Sequence, residues 1–281
     1  MRLGVITDEV SQDFALALDF AKTYGLDCVE LRSAYEKGPF DYTEEDILKI
    51  KEISDCYGIP VTAISSPMFK CEYSEENIKL HTEKFKKLLS FAKILGAKKI
   101  RCFDFLKNES VTREMIRDAY KEAYAAAEAA GVTILIESEP TTNSACCADI
   151  AELVRCVDRP NFKALYDPGN NIYATDEIPS PNGYLAIEDI LAHIHIKDAR
   201  REGGETVATA VGEGAVDYPA LFAELKRIGY DGDIMLETHY RMEGGIDDAT
   251  LKNPKGSAIS DGGYIPSCVC MENLLKLLGR E

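Results

Sequence analysis

The sequence predicts an α/β fold, a (β/α)8 TIM barrel built as a single domain over residues 1–281. Eight short apolar runs alternate with helical stretches along the chain. Glycines punctuate that alternation: Gly25, Gly58, Gly96, Gly131 and Gly229 each close a helix shortly before a strand. The length fits one closed barrel, which typically needs roughly 250 residues.

The first strand is read over residues 3–7 and runs directly into Asp8 and Glu9. No glycine-rich phosphate loop follows it, which disfavours a doubly wound open sheet. A helix over 14–24, a strand over 28–31 and a helix over 44–57 come next. The third strand is placed at 61–65 and its helix at 74–95; the fourth strand is placed at 99–105. Residues 112–130, rich in Ala, Glu, Lys and Arg, read as one continuous helix stopped by Gly131. The fifth and sixth strands cover 133–137 and 162–166, with a helix over 148–157 between them. The seventh and eighth cover 193–196 and 233–236, separated by a helix over 218–228. A helix over 265–278 closes the chain. Runs such as ILI and IML are apolar without alternation, as expected for strands covered on both faces. Two long loops, 170–182 and 238–264, follow strands and therefore belong to the C-terminal face, where barrel active sites lie.

Composition narrows the function. Lys and Arg total 32 against 48 Asp and Glu, a formal charge of −16. Nucleic acid is not an expected partner, because phosphate binding needs a basic footprint. No run approaches the ~18 apolar residues of a membrane span. The opening MRLGVITDEV has no apolar leader core, so a cytoplasmic location is expected. The nine cysteines are scattered without a CxxC pair and read as reduced thiols.

Polar residues at the C-terminal ends of barrel strands converge on one point. Here these are Glu137 (TILIESEP), Asp167 (KALYDPGN), His193 and His195 (HIHIKD), and Glu237 (DIMLETHY). Singly, each carboxylate reads as a loop residue or helix cap, and each histidine as a hydrogen-bonded core residue. Together, three carboxylates and one imidazole form a plausible divalent-metal site, suiting Mn2+, Mg2+ or Co2+ better than a thiolate zinc site. His195 is chosen over His193 because it lies nearer the strand end, with His193 and His239 as alternatives. Lys197 shares its face and is read as an oxyanion-binding group or a salt bridge of the barrel mouth. Arg101 is read as either a substrate contact or an ion pair of the fourth strand. His81, within an amphipathic helix, is read as structural.

The stretches ILIES, LYDPGN, HIHIKDA and GEGAVDYPALFAELKRIGYDGDIMLE, with ITDEV and CVELR near the start, resemble the xylose isomerase-like TIM barrel superfamily. The similarity lies in its branch of sugar and sugar-phosphate isomerases and epimerases. It implies one divalent cation, Mn2+ foremost with Mg2+, Co2+ or Zn2+ as options, held by Glu137, Asp167, His195 and Glu237. It also implies that Glu137 and Glu237 move the proton, and that Arg201 contacts substrate oxygens. Asn170 stands where relatives often carry a histidine; an amide can hydrogen-bond a hydroxyl but cannot relay a proton. The substrate-binding set is thus Arg101, Asn170, Lys197 and Arg201.

The resulting expectation is a metal-dependent isomerase or epimerase of a sugar, cyclitol or related keto-compound, acting through a metal-stabilised enediolate. A lyase on the same scaffold, an inosose-type dehydratase or a 3-keto-glycoside eliminase, is the alternative. An apurinic-site endonuclease is disfavoured by the acidic charge and by having only four histidines. A non-catalytic binding protein is disfavoured by the intact set of four metal-ligand candidates. A homo-oligomer is compatible with the long terminal loops.

Overall fold

Strand pairing closes without an edge. In the computed structural model, which describes residues 1–175, 179 and 183–280, eight parallel strands form a barrel. The barrel strands are β1 (Arg2–Ile6), β2 (Cys28–Leu31), β3 (Val61–Met68), β4 (Lys99–Cys102), β5 (Thr133–Glu137), β6 (Phe162–Tyr166), β7 (Leu191–Ile196) and β10 (Asp233–Leu236). β10 pairs with both β7 and β1, so the last barrel strand seals the ring. Two further strands, β8 (Asp198–Glu202) and β9 (Glu205–Thr209), form an antiparallel hairpin directly after β7.

The helices on the outside follow from local chemistry. α2 (Phe14–Thr23) is capped by the Asp13 carboxylate, and α3 (Glu44–Tyr57) by a capping box of Thr43 and Asp46. The short α1 (Thr7–Val10) precedes both, at the end of β1. α4 (Glu75–Leu95) starts on the Ser74 hydroxyl and ends at Gly96, whose φ of 79° is left-handed. The helix expected over 112–130 is divided into α5 (Arg113–Ala119) and α6 (Lys121–Ala130). The break falls at Tyr120, a buried residue whose hydroxyl donates to the Phe103 carbonyl. α7 (Cys147–Val157) returns to β6.

The loop expected over 170–182 begins instead as helix α8 (Pro168–Ala174). Asp167 caps it by accepting from the Asn170 amide at 2.9 Å, and Pro168 stands in its first turn, where a missing N–H costs nothing. Residues 176–178 and 180–182 of that expected loop, Pro181 included, lie outside the described residues. α9 (Tyr218–Arg227) precedes β10, and α10 (Asp248–Lys252) and α11 (Ser257–Ser260) structure the long final loop before α12 (Tyr264–Leu278).

Strand limits differ at four places. β1 covers Arg2–Ile6 rather than 3–7, because Thr7 already opens α1. β3 continues past residue 65 to Met68 through a register shift, stabilised by the Ser66 hydroxyl donating to the Arg101 carbonyl at 2.6 Å. β4 stops at Cys102 rather than 105, and β7 starts two residues earlier, at Leu191.

Apolar side chains fill the layer between strands and helices, with Phe14, Phe20, Phe85, Ile100, Phe162 and Leu225 all buried. The barrel interior is different. A column of polar side chains runs up its axis from Asp233 and Lys99 (3.2 Å apart), through His193 (3.5 Å from Lys99), to Glu30 (2.7 Å from His193). Each of these groups pairs with the next, which is what makes their burial tolerable. All nine cysteines are free, and no helix among the described residues is long and apolar enough to cross a membrane.

Candidate active site

Four strand ends bring Glu137, Asp167, His195 and Glu237 together at the C-terminal mouth. All four are buried, and one donor atom from each lies within 4.8 Å of every other. His195 Nδ1 is 2.9 Å from Glu137 and 3.4 Å from Glu237. Its Nε2 points down the barrel to Glu30, at 3.2 Å. Asp167 divides its two oxygens: Oδ1 caps α8, while Oδ2 has no hydrogen-bond donor in proper geometry and only the Lys197 ammonium 2.7 Å away. A buried carboxylate oxygen left in that state fits a cation ligand. Three carboxylates and one imidazole nitrogen, with no thiolate in the set, form an oxygen-rich donor set suited to a divalent ion.

Cationic side chains hold the carboxylates in place. Arg101 Nη1 donates to Glu137 Oε2 at 2.6 Å, and Lys197 Nζ donates to Glu237 Oε2 at 2.9 Å. Both residues are thus ion-pair partners, and both also line the cavity. Lys197 is packed from below by Gly169, where a Cβ would come within 2.8 Å of the Lys197 carbonyl oxygen and Cγ. Only glycine lets the start of α8 ride so close to this strand.

The electrostatics divide the carboxylates. Burial pushes Glu137 up, but Arg101 and His195 outweigh it and hold the group at about 2. Glu237 is also driven well below its ordinary value, burial being overcome by Lys197 and His239. Asp167 behaves oppositely: burial, reinforced by Glu237 and Glu137, raises it to about 7 despite Lys197.

Two of the four, Glu137 and Glu237, open onto a cavity of about 240 Å³ whose lining also includes Lys70, Arg101, Glu139, Asn170, Tyr173 and Lys197. Asn170 is anchored there by its Nδ2, which donates to the Ser138 carbonyl at 2.8 Å. Arg201 stands on the β8 hairpin with its guanidinium 3.2 Å from the Thr175 carbonyl and is not among the described residues that line this cavity. His193 is not at the rim; it belongs to the column beneath. His239 is at the rim, with Nε2 3.3 Å from both Glu237 and Glu9 and a left-handed φ of 44°. His81 is a structural residue, its Nδ1 accepting from the Phe69 amide at 2.8 Å.

Four contributors escaped the sequence reading. Arg32 is buried and reaches Asp8 at 3.0 Å, Glu9, and Glu237 at 2.5 Å. Glu9 and Asp8 stand in α1, at the end of the first strand, the position that flagged the other strand-end acids. Glu30 sits mid-strand, where an acid in the run CVEL reads as an ordinary strand residue.

A parallel (β/α)8 barrel with titratable groups gathered at its C-terminal mouth is an enzyme architecture. The sequence model described as xylose isomerase-like TIM barrel matches residues 18–258, and the chain belongs to that family. It is 27% identical over 233 residues to L-ribulose-5-phosphate 3-epimerase UlaE of Salmonella paratyphi C, covering 78% of this chain and 80% of that protein. Among solved structures, D-allulose 3-epimerase from Methylomonas sp. in complex with D-allulose superposes with a TM-score of 0.78 at 18% identity. That match covers 100% of this chain and 97% of the other. The 3-keto-D-glucoside 4-epimerase YcjR from E. coli superposes with a TM-score of 0.73 at 17% identity, covering 99% of each chain. The chain is an enzyme of this epimerase and isomerase family.

Proposed function

We propose that the chain is a divalent-metal-dependent epimerase or isomerase of a keto-sugar, cyclitol or related keto-compound. The supporting observation is the convergence of Glu137, Asp167, His195 and Glu237 on one buried point beside a cavity. These four would hold the ion, with Mn2+ favoured by the donor set. When bound, a divalent cation supplies Lewis-acid polarisation of a substrate carbonyl.

The chain's own residues do the rest. Glu137 and Glu237 come from β5 and from the end of β10, three strands apart around the ring, so they approach a substrate from two sides. One carboxylate takes the proton from the carbon beside the carbonyl, and the electron pair moves onto the carbonyl oxygen. The other, which the site holds ionised and which must therefore first take up a proton from solvent, returns that proton to the opposite face and inverts that carbon. Arg101 and Lys197 hold the two carboxylates at their positions and, with Asn170, present donors to substrate hydroxyls. Burial of all four ligand candidates shields these side chains themselves from bulk water. The free thiols and acidic surface suit a reducing cytoplasm.

The test is incubation with a panel of keto-sugars and inososes in D2O with Mn2+ present. An isomeric product carrying one deuterium at the carbon next to the carbonyl is expected, and Glu137→Gln or Glu237→Gln should slow its formation at least about 100-fold. Unchanged turnover in either variant removes the two-glutamate mechanism. Loss of water or of an aglycone assigns the lyase alternative.

A further inference from the structure

A second chamber of about 200 Å³ adjoins the catalytic cavity. The two share Lys70, Arg101 and Pro254, so a molecule seated at the four acid and imidazole groups can extend past these residues into it. Its lining is unusual for a chain of charge −16. Five cationic side chains line it, Arg32, Lys70, Lys84, Arg101 and Lys255, against one carboxylate, Asp41.

These cations differ in what they already hold. Arg32 is committed to Asp8, Glu9 and Glu237, and Arg101 to Glu137. Lys70, at the boundary between chambers, has its ammonium 2.7 Å from Glu139 and lies 5.0 Å from the Phe103 ring centroid. Lys84 lies over the face of Phe40, 5.0 Å from the ring centroid. Among the described residues, no ion pair within 4.0 Å engages Lys84 or Lys255. The chamber thus carries two uncommitted ammonium groups beyond a third that is paired, between the rigid walls of Pro39, Phe40 and Pro254.

We propose that this chamber receives an anionic end of the substrate, a phosphate monoester carried on the carbon chain away from the reacting carbon. Lys84 and Lys255 supply the binding charge, and Lys70 stands at the entrance. The inference rests on the function proposed above, because it takes the reacting carbon to sit beside Glu137 and Glu237. Phosphate is favoured over carboxylate on the character of the donors. Carboxylates are best matched by the bidentate arginine fork. Arg32 is spent on three protein carboxylates and Arg101 Nη1 on Glu137. Although Arg101 Nε is buried without a partner, most of the free positive charge of the chamber is carried by lysine ammonium groups. The ammonium groups that remain are compact point charges, which suit the spread charge of about −1.5 to −2 on a phosphate monoester.

The experiment uses the full-length protein, with and without Mn2+, and three ligands that cannot turn over: ribitol, ribitol 5-phosphate and ribonate. Calorimetric titration should show ribitol 5-phosphate binding at least about tenfold tighter than ribitol, with a preference that weakens as salt rises. The Lys84→Ala/Lys255→Ala double variant should lose that preference by about tenfold while its Mn2+ affinity and its affinity for ribitol stay as in the parent protein. Equal binding of ribitol and its phosphate, an undiminished preference in the double variant, or an equal gain from ribonate would each overturn the proposal. A phosphate preference that depends on both lysines in a protein that fails to take up Mn2+ would support the chamber and remove the metal-dependent reading alone.

Discussion

His195 turns Nε2 toward the Glu30 carboxylate, 3.2 Å below it, and thereby presents Nδ1 to the mouth of the barrel. The ring could otherwise rotate about its χ2 and offer either nitrogen. Glu30 is itself fixed, by His193 at 2.7 Å and by the Ser65 hydroxyl. Removing Glu30 should therefore weaken metal binding without touching a ligand. For Glu30→Leu we expect an about 10–100-fold loss of Mn2+ affinity by titration calorimetry, and for Glu30→Gln, which keeps an acceptor, a smaller loss. An unchanged affinity in the leucine variant would show that the ring is held by packing alone.

Metal binding should depend on pH through Asp167. Burial raises this carboxyl to about 7, so below neutrality it carries a proton that a cation must displace. Against the cost of burial, Glu30 and Glu137 also hold His195 protonated well above its ordinary value. Affinity for Mn2+ is therefore expected to fall about 100-fold per pH unit below 7, with two protons released per ion, and more gently, about tenfold per unit, just above it. A flat profile between pH 6 and 8 would mean that neither Asp167 nor His195 carries a proton there.

Arg32 neutralises three carboxylates at once, all out of contact with water. Arg32→Met removes the cation these three share, leaving Asp8 with only the Ser33 hydroxyl, Glu9 with His239, and Glu237 with Lys197 and His239. Urea unfolding should report a loss of about 3–5 kcal/mol. Arg32→Lys should recover only part of it, since one ammonium cannot span the three partners that the planar fork reaches.

His81 predicts a pH dependence of stability remote from the active site. Burial, aided by Lys84, lowers its pKa to about 4, and its neutral Nδ1 accepts the Phe69 amide. The unfolded chain takes up a proton near 6.5 while the folded one does not until about 4. The contribution is therefore complete above about 6.5 and lost as pH falls from there toward 4. In His81→Leu this part of the acid sensitivity should vanish, as seen by comparing unfolding midpoints at pH 7 and 5. Parent-like sensitivity in that variant would place the titration elsewhere.

The barrel was readable because its signals are local and repeated. Continuous apolar runs such as TILIE and DIML could only be strands covered on both sides, and each helix before them stopped at a glycine. Glu137, Asp167 and Glu237 were readable for a related reason: a strand end has a known direction, so an acid there has a known destination. The hairpin of β8 and β9 was missed although Gly203 and Gly204 form its turn, because DARRE and ETVAT carry too little apolar alternation to announce strands. Arg32, Glu30 and Asp8 were missed because their partners lie on other strands, and pairing across a barrel is set by closure rather than by spacing along the chain. The division at Tyr120 is likewise tertiary, since helix propensity on both sides is good.

The column of paired charges inside the barrel extends the enzyme's machinery to the floor of the molecule. Lys99 and Asp233 sit at the far end from any substrate, yet they steady His193, which steadies Glu30, which steadies His195. A ring of leucines there would give a tighter plug but would leave nothing to anchor the imidazole from below. Inheritance at these basement positions is consequently expected to track the chemistry at the roof, and a lesion far from the ligand would be felt as a blunted catalyst rather than as a broken scaffold.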